Sequence, residues 1–174
     1  MKKKIIFLDR DGVINKEVNY LHMIEDFIFI EGVFESMHYL KGLGYEFIVI
    51  TNQSGIGRGI YKEGDYKKID LWMKDVFKKH NLDILYSIHC PHKPEDNCNC
   101  RKPKPGMFNE CFQKYPISKT KSWMIGDSMR DIEASLAAGI SKNILVRSGH
   151  PIEEGMKNID IIDSIKEVGQ VITQ

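Results

Sequence analysis

Ile5-Ile6-Phe7-Leu8-Asp9-Arg10-Asp11-Gly12 is the stretch that decides how this chain is read. Four consecutive apolar residues suit a strand buried on both faces, and they stop at two carboxylates one residue apart, then a glycine. In an open α/β sheet the carboxyl rim of the strands is where ligands bind. With the backbone extended, positions i and i+2 point to the same side, so Asp9 and Asp11 would face one substrate together. Two such carboxylates repel each other and any anionic substrate, and a cation between them relieves both repulsions. Alone, an Asp-x-Asp-Gly string is also an ordinary turn after a strand. The rest of the chain separates the two readings.

Further along, Phe47 to Ile50 is a second buried strand, and it runs into Thr51-Asn52-Gln53-Ser54-Gly55-Ile56-Gly57-Arg58-Gly59. Ser122 to Gly126 is another, ending at Asp127. Ile84 to His89 and Asn143 to Val146 complete the main strands, and a small strand-helix tail follows from Ile159. Val33, Phe34, Met37, Leu40 and Leu43 recur at helical spacing, with Gly44 placed to close the helix in the left-handed conformation. Tyr66, Ile69, Trp72, Met73, Val76 and Phe77 form one stripe on a long helix from Lys62 to His80, a stripe for core packing. Gly106 to Tyr115 and Asp131 to Ala138 are shorter helices, and Cys90 to Lys104 is an irregular loop. Strands alternating with helices predict an α/β fold, a central parallel sheet with helices on both faces and right-handed crossovers. With 174 residues and no linker-like segment, a single domain over 1–174 is expected.

The charge balance narrows the function. A net charge of +1 gives no sign of a general nucleic-acid or membrane-surface binder. No apolar run reaches the roughly 18 residues of a membrane span. The basic start, Met1-Lys2-Lys3-Lys4, leads only into Ile5 to Leu8, too short for a signal-peptide core, so a cytoplasmic protein is expected. No long apolar surface pattern stands out, which predicts a monomer.

The cysteines are unevenly spread. Cys90-x-His92, then Cys98-x-Cys100, gather three thiols and an imidazole in eleven residues. In a cytosolic chain such a cluster reads as metal-binding, and three thiolates with one imidazole fit tetrahedral Zn²⁺. All four positions are filled by protein, so that zinc would be structural. It would staple a loop with little apolar surface to bury and so fix Arg101 and Lys102 beside it. Cys111 reads as helix core, His38, His80 and His89 as packing or surface residues, and Trp72 and Trp123 as core.

Asp9 and Asp11, Thr51 and Asn52, and Asp127 therefore stand at three strand ends that a parallel sheet brings to one rim. Arg101-Lys102-Pro103-Lys104-Pro105-Gly106 adds positive charge nearby. Phosphoryl transfer through an aspartyl-phosphate needs these parts: a carboxylate nucleophile, a neutralising cation, a second carboxyl to move the proton, and a hydroxyl and a lysine on the phosphate oxygens. The order Asp9-x-Asp11, Thr51, Lys102, Asp127 resembles the haloacid dehalogenase (HAD) superfamily. Within it, several further stretches resemble the D-glycero-D-manno-heptose 1,7-bisphosphate 7-phosphatase family. They are Asp9 to Asn15, Tyr20-Leu21-His22, Thr51 to Gly59, Cys90-Pro91-His92, Cys98 to Pro103, Pro105-Gly106-Met107, Ile125-Gly126-Asp127 and Val146 to Gly149.

The resemblance implies a three-layer Rossmann-like fold without a large cap domain, and a phosphatase in nucleotide-activated heptose synthesis for surface polysaccharide. It implies Asp9 as nucleophile and Mg²⁺ ligand, and Asp11 as general acid/base with its backbone carbonyl on Mg²⁺. Asp127 would be the remaining Mg²⁺ ligand, and Thr51 and Lys102 would hold the phosphoryl group. Arg101, Glu17, Val18, Asn19, Tyr20, Asn52, Gln53 and Ser54 fall where the family contacts its small phosphorylated sugar. Arg58, Arg101 and Arg147 are the candidates for the phosphate that is not cleaved. Asp131 either supports the metal site or caps its helix. Two features depart from the pattern. The short Lys93 to Asn97 segment between the ligand pairs also resembles histidinol-phosphate phosphatases, the alternative enzyme. Ser128 stands where some relatives carry a substrate-touching lysine. Intact Asp9, Asp11, Lys102 and Asp127 argue against a catalytically silent phosphosugar-binding protein.

Overall fold

The computed structural model describes residues 2–152 and 159–173. Six parallel strands form one sheet: β1 (Ile5–Leu8), β2 (Glu46–Asn52), β3 (Ile84–Cys90), β4 (Trp123–Gly126), β5 (Lys142–Val146) and β6 (Asp160–Ile162), in the order β3-β2-β1-β4-β5-β6. Side chains alternate across β1. Ile6 and Leu8 join one core with Met37, Leu40, Met73 and Phe77, while Ile5 and Phe7 join the other with Met107, Phe108, Cys111 and Ala134. The first core is covered by helices α1 (Val33–Gly42) and α3 (Glu63–Lys79), the second by α4 (Gly106–Lys114) and α5 (Met129–Ala138). This is the expected three-layer sandwich, and the predicted strands and helices differ from the observed ones only at their ends.

The topology chooses the position of the site. From β1 the chain builds the sheet outward through β2 and β3, then returns to the other side of β1 with β4. The β1/β4 seam is therefore the switch point, where the crevice of a parallel sheet opens. Leu8 pairs with Val49 on one side and Ile125 on the other, so the residues that follow β1, β2 and β4 emerge together. One α-helix was not foreseen, the short α2 (Ser54–Gly57) within the glycine-rich stretch after β2. The Gly57 N–H donates to Pro91 O at 2.8 Å, which docks this turn against the start of the cysteine loop. Only Gln53 to Lys62 separates β2 from α3 apart from that turn, so no cap domain is inserted there.

Candidate active site

Asp9 leaves β1 with its N–H donating to Ile125 O at 3.1 Å, which ties it across the seam to β4. Its Oδ1 accepts the Arg10 N–H at 2.8 Å and lies 3.2 Å from Lys102 Nζ. Beyond it the backbone turns rather than staying extended. Gly12 adopts φ +83°, and its N–H donates to Asn15 O at 2.7 Å. Asp11 nevertheless lines the same cleft as Asp9. Its carboxylate is ringed by donors: Arg10 Nη2 at 3.0 Å to each oxygen, Asn15 Nδ2 at 2.9 Å and Gln53 Nε2 at 3.0 Å. Gln53 Nε2 also donates to Thr51 Oγ1 at 2.8 Å, and Gln53 Oε1 accepts from Tyr61 Oη at 2.5 Å. Burial pushes the Tyr61 phenol up to about 12, so it stays a donor.

Lys102 reaches the rim from the cysteine loop and is 2% exposed, which requires partners for its charge. Nζ lies 2.5 Å from Asp131 Oδ1 and donates to Ile50 O at 2.8 Å, in addition to its contact with Asp9. Burial opposes the charge, but Asp131 and Asp9 outweigh it and hold the ammonium above its ordinary value. The other oxygen of Asp131 accepts the N–H groups of Asp127 and Ser128, each at 3.1 Å, and so closes the start of α5. Asp131 thus caps its helix, as one of the two sequence readings had it, and also pairs with Lys102. Asn52 holds the lysine's backbone from both sides: Asn52 Nδ2 donates to Lys102 O and the Lys102 N–H donates to Asn52 Oδ1, both at 3.1 Å.

Carboxylate oxygens of Asp9, Asp127 and Asp131 lie within 4.8 Å of one another. Asp11 lies in the same cleft, where Arg10 pairs with Asp11 and Lys102 with Asp9 and Asp131. Burial, reinforced by the neighbouring carboxylates, raises Asp9 well above the usual range, although Lys102 opposes the rise. Burial and then Asp131 raise Asp127, against which His150 acts. Space is reserved around Asp127: a Cβ on Gly12 or Gly149 would overlap its Oδ2. An oxygen-only cluster with excess negative charge fits a hard divalent cation such as Mg²⁺.

The second metal-ligand group is Cys90, His92, Cys98 and Cys100. Cys100 Sγ is 3.2 Å from Cys90 Sγ and 3.5 Å from Cys98 Sγ, and Cys90 to Cys98 is 3.6 Å. His92 Nδ1 is 3.5 Å from Cys90 Sγ and 3.2 Å from Cys100 Sγ. These edges are far longer than a disulfide and close to the roughly 3.8 Å edges of a tetrahedron whose sulfur ligands stand about 2.3 Å from zinc. The four donors fit one tetrahedral ion.

The cleft holds about 190 Å³ and is also lined by Glu17, Val18, Asn19, Tyr20, Ser54 and Arg101. Burial, and then the Asp11 charge, push Glu17 up to about 7. Arg58 follows α2 just outside the lining. Arg147 is not brought to the cleft; its Nη1 pairs with Asp163 Oδ1 at 3.2 Å near the neighbouring strand. Several residues of the site went unremarked in the sequence, among them three charged or titratable ones near the acids. Arg10 is 1% exposed and clamps Asp11, His150 Nδ1 meets Asp127 Oδ2 at 2.6 Å, and Arg130 lines the cleft beside Ser128. Arg10 lies inside the Asp-x-Asp-Gly string, so its position was a usable signal. The other two offered none.

The chain is 43% identical to D-glycero-alpha-D-manno-heptose-1,7-bisphosphate 7-phosphatase of Photorhabdus laumondii, over 98% of this chain and 97% of that protein. It belongs to the heptose 1,7-bisphosphate 7-phosphatase family. Another member of the family, D-glycero-beta-D-manno-heptose-1,7-bisphosphate 7-phosphatase of Haemophilus influenzae, is 36% identical over 97% of this chain and 96% of that protein. Residues 99–167 match the family model described as HAD-hydrolase-like. The fold is similar to a crystal structure of D,D-heptose 1,7-bisphosphate phosphatase from B. bronchiseptica complexed with magnesium and phosphate, with a TM-score of 0.84, 27% identity and 96% coverage of both chains. Gly12 and Gly149 leave room for the Asp127 carboxylate, which a side chain at either would push aside. Gly149→Ala should raise the Mg²⁺ concentration for half-maximal activity about tenfold, measured by Mg²⁺ titration. An unchanged Mg²⁺ dependence would show that Asp127 does not need the cleared space.

Proposed function

We propose that this chain is a Mg²⁺-dependent phosphatase that removes the 7-phosphate of D-glycero-D-manno-heptose 1,7-bisphosphate, in the synthesis of nucleotide-activated heptose for surface polysaccharide. The observation that carries the reading is the buried Lys102 ammonium set against Asp9 at the sheet's switch point, with the donor-ringed Asp11 in the same cleft. Asp9 attacks phosphorus as the bond to the sugar oxygen breaks. Asp11 delivers a proton to that oxygen, then takes one from the water that attacks the aspartyl-phosphate, which frees phosphate and restores Asp9. The Thr51 hydroxyl and the Lys102 ammonium hold the phosphoryl oxygens in both steps. Asp9, Asp127 and the backbone carbonyl of Asp11 would hold Mg²⁺, which when bound neutralises charge on the transferring group. Glu17 to Tyr20, Ser54 and Arg101 line the cleft where the sugar and its remaining phosphate would lie. Asn52 and Gln53 act by positioning Lys102 and Asp11, since their amides are committed to those residues.

The four-donor cluster would hold a structural zinc, which fastens the loop that carries Lys102. The reading is supported by the identity to relatives that bear this activity in their names and by the spacing of the metal-ligand groups. In a comparison of phosphate release, one anomer of heptose 1,7-bisphosphate should exceed histidinol phosphate about a hundredfold in kcat/KM, near 2.7 kcal/mol of transition-state preference. A higher kcat/KM for histidinol phosphate would overturn the substrate assignment. Removal of zinc by a chelator should speed hydrogen exchange across residues 90–104 and lower kcat at saturating Mg²⁺. Full activity in a zinc-free protein would contradict the staple.

A further inference from the structure

The remaining question at the cleft is what receives the phosphate that is not transferred. Other cations near the cleft are committed. Arg10 is buried against Asp11 and Lys102 is shared between Asp9 and Asp131, while Arg147 lies outside it, paired with Asp163. Two guanidinium groups line the cleft and have no carboxylate partner among the described residues, Arg101 and Arg130. Arg101 is fixed by a bond from its Nη1 to His92 O at 3.2 Å, so the cysteine loop sets its place.

Arg130 stands in the first turn of α5, where a cation works against the positive end of the helix dipole. Among the described residues no carboxylate pairs with it, which leaves its charge free for an anion in the cleft. Arg101 and Arg130 also line an adjoining depression of about 260 Å³ with Pro94, Asn97 and Lys104. With Lys102, they are the residues shared by that depression and the catalytic cleft. Planar guanidinium forks bind phosphate oxygens in a bidentate manner that a lysine does not match.

We infer that Arg130, paired with Arg101, is the specificity-determining residue that grips the second phosphate of a sugar bisphosphate. This rests on the bisphosphate reading above and adds to it the residue that enforces it. Of the three arginines singled out in the sequence for this role, Arg101 keeps its place, and Arg130 takes the place of Arg147.

The test is steady-state kinetics of Arg130→Ala and Arg130→Lys with heptose 1,7-bisphosphate and with p-nitrophenyl phosphate, which has no second phosphate. Arg130→Ala should raise KM for the bisphosphate at least tenfold and KM for p-nitrophenyl phosphate less than threefold. Arg130→Lys should recover part of the loss on the bisphosphate alone. Arg130 is exposed, so the fold should survive both changes. Equal changes on the two substrates, or no change on the bisphosphate, would overturn the role of Arg130. The wild-type protein separates the two levels of the argument: preference for histidinol phosphate there would remove the bisphosphate reading itself, before any variant is compared.

Discussion

A single buried ammonium organises this molecule. Lys102 Nζ lies among Asp131 Oδ1, Asp9 Oδ1 and Ile50 O, and the residue is 2% exposed. Taking ions out of water costs several kcal/mol each, and removing one member of a buried pair leaves the other uncompensated at about 3–5 kcal/mol. The arrangement therefore holds only if all its parts arrive together. β1 supplies Asp9, β2 supplies Ile50 O and Asn52, the start of α5 supplies Asp131, and the cysteine loop supplies the lysine. The switch-point topology makes that meeting possible, because β2 and β4 both flank β1.

From this constraint the division of labour follows. Residues of the cleft are held in place by their neighbours within it. Asp131 closes α5 and neutralises Lys102, Asn52 grips the lysine's backbone, and Gln53 joins Thr51, Asp11 and Tyr61 in one network. The Cys90, His92, Cys98 and Cys100 donors gather immediately before Arg101 and Lys102. Local order around a site is what converts a list of polar side chains into a fixed electrostatic environment.

Much of this was legible in the sequence, for definite reasons. Four apolar residues before Asp9 have few alternatives to a doubly buried strand, and the stripe from Tyr66 to Phe77 has the period of a helix whose core face is buried at Tyr66, Ile69, Met73 and Phe77. The Cys/His spacing survived translation into geometry because the ligands lie close in the chain. What could not be read depended on tertiary placement. Ser54-Gly55-Ile56-Gly57 has weak helix propensity, and α2 forms where Gly55 packs against Tyr61 and Gly57 bonds Pro91. A strand-end arginine such as Arg147 can face the rim or its neighbour, and Asp163 on the adjoining chain segment draws it away. Arg10 looks like a surface charge until Asp11, Gln53 and the Tyr66 ring surround it. His150 reaches Asp127 only because the turn at Ser148 bonds Gly12 O at 2.6 Å and brings two distant segments together.

The central claim is that Asp9 carries the phosphoryl group during turnover. Borohydride reduction of the enzyme quenched while it hydrolyses heptose 1,7-bisphosphate, followed by peptide mass spectrometry, tests it directly, because an acyl-phosphate is reduced to an alcohol while a free carboxylate is not. The account predicts homoserine at position 9 and an unmodified carboxylate at positions 11 and 127. Homoserine at either of those positions instead, or at none during active turnover, would contradict it.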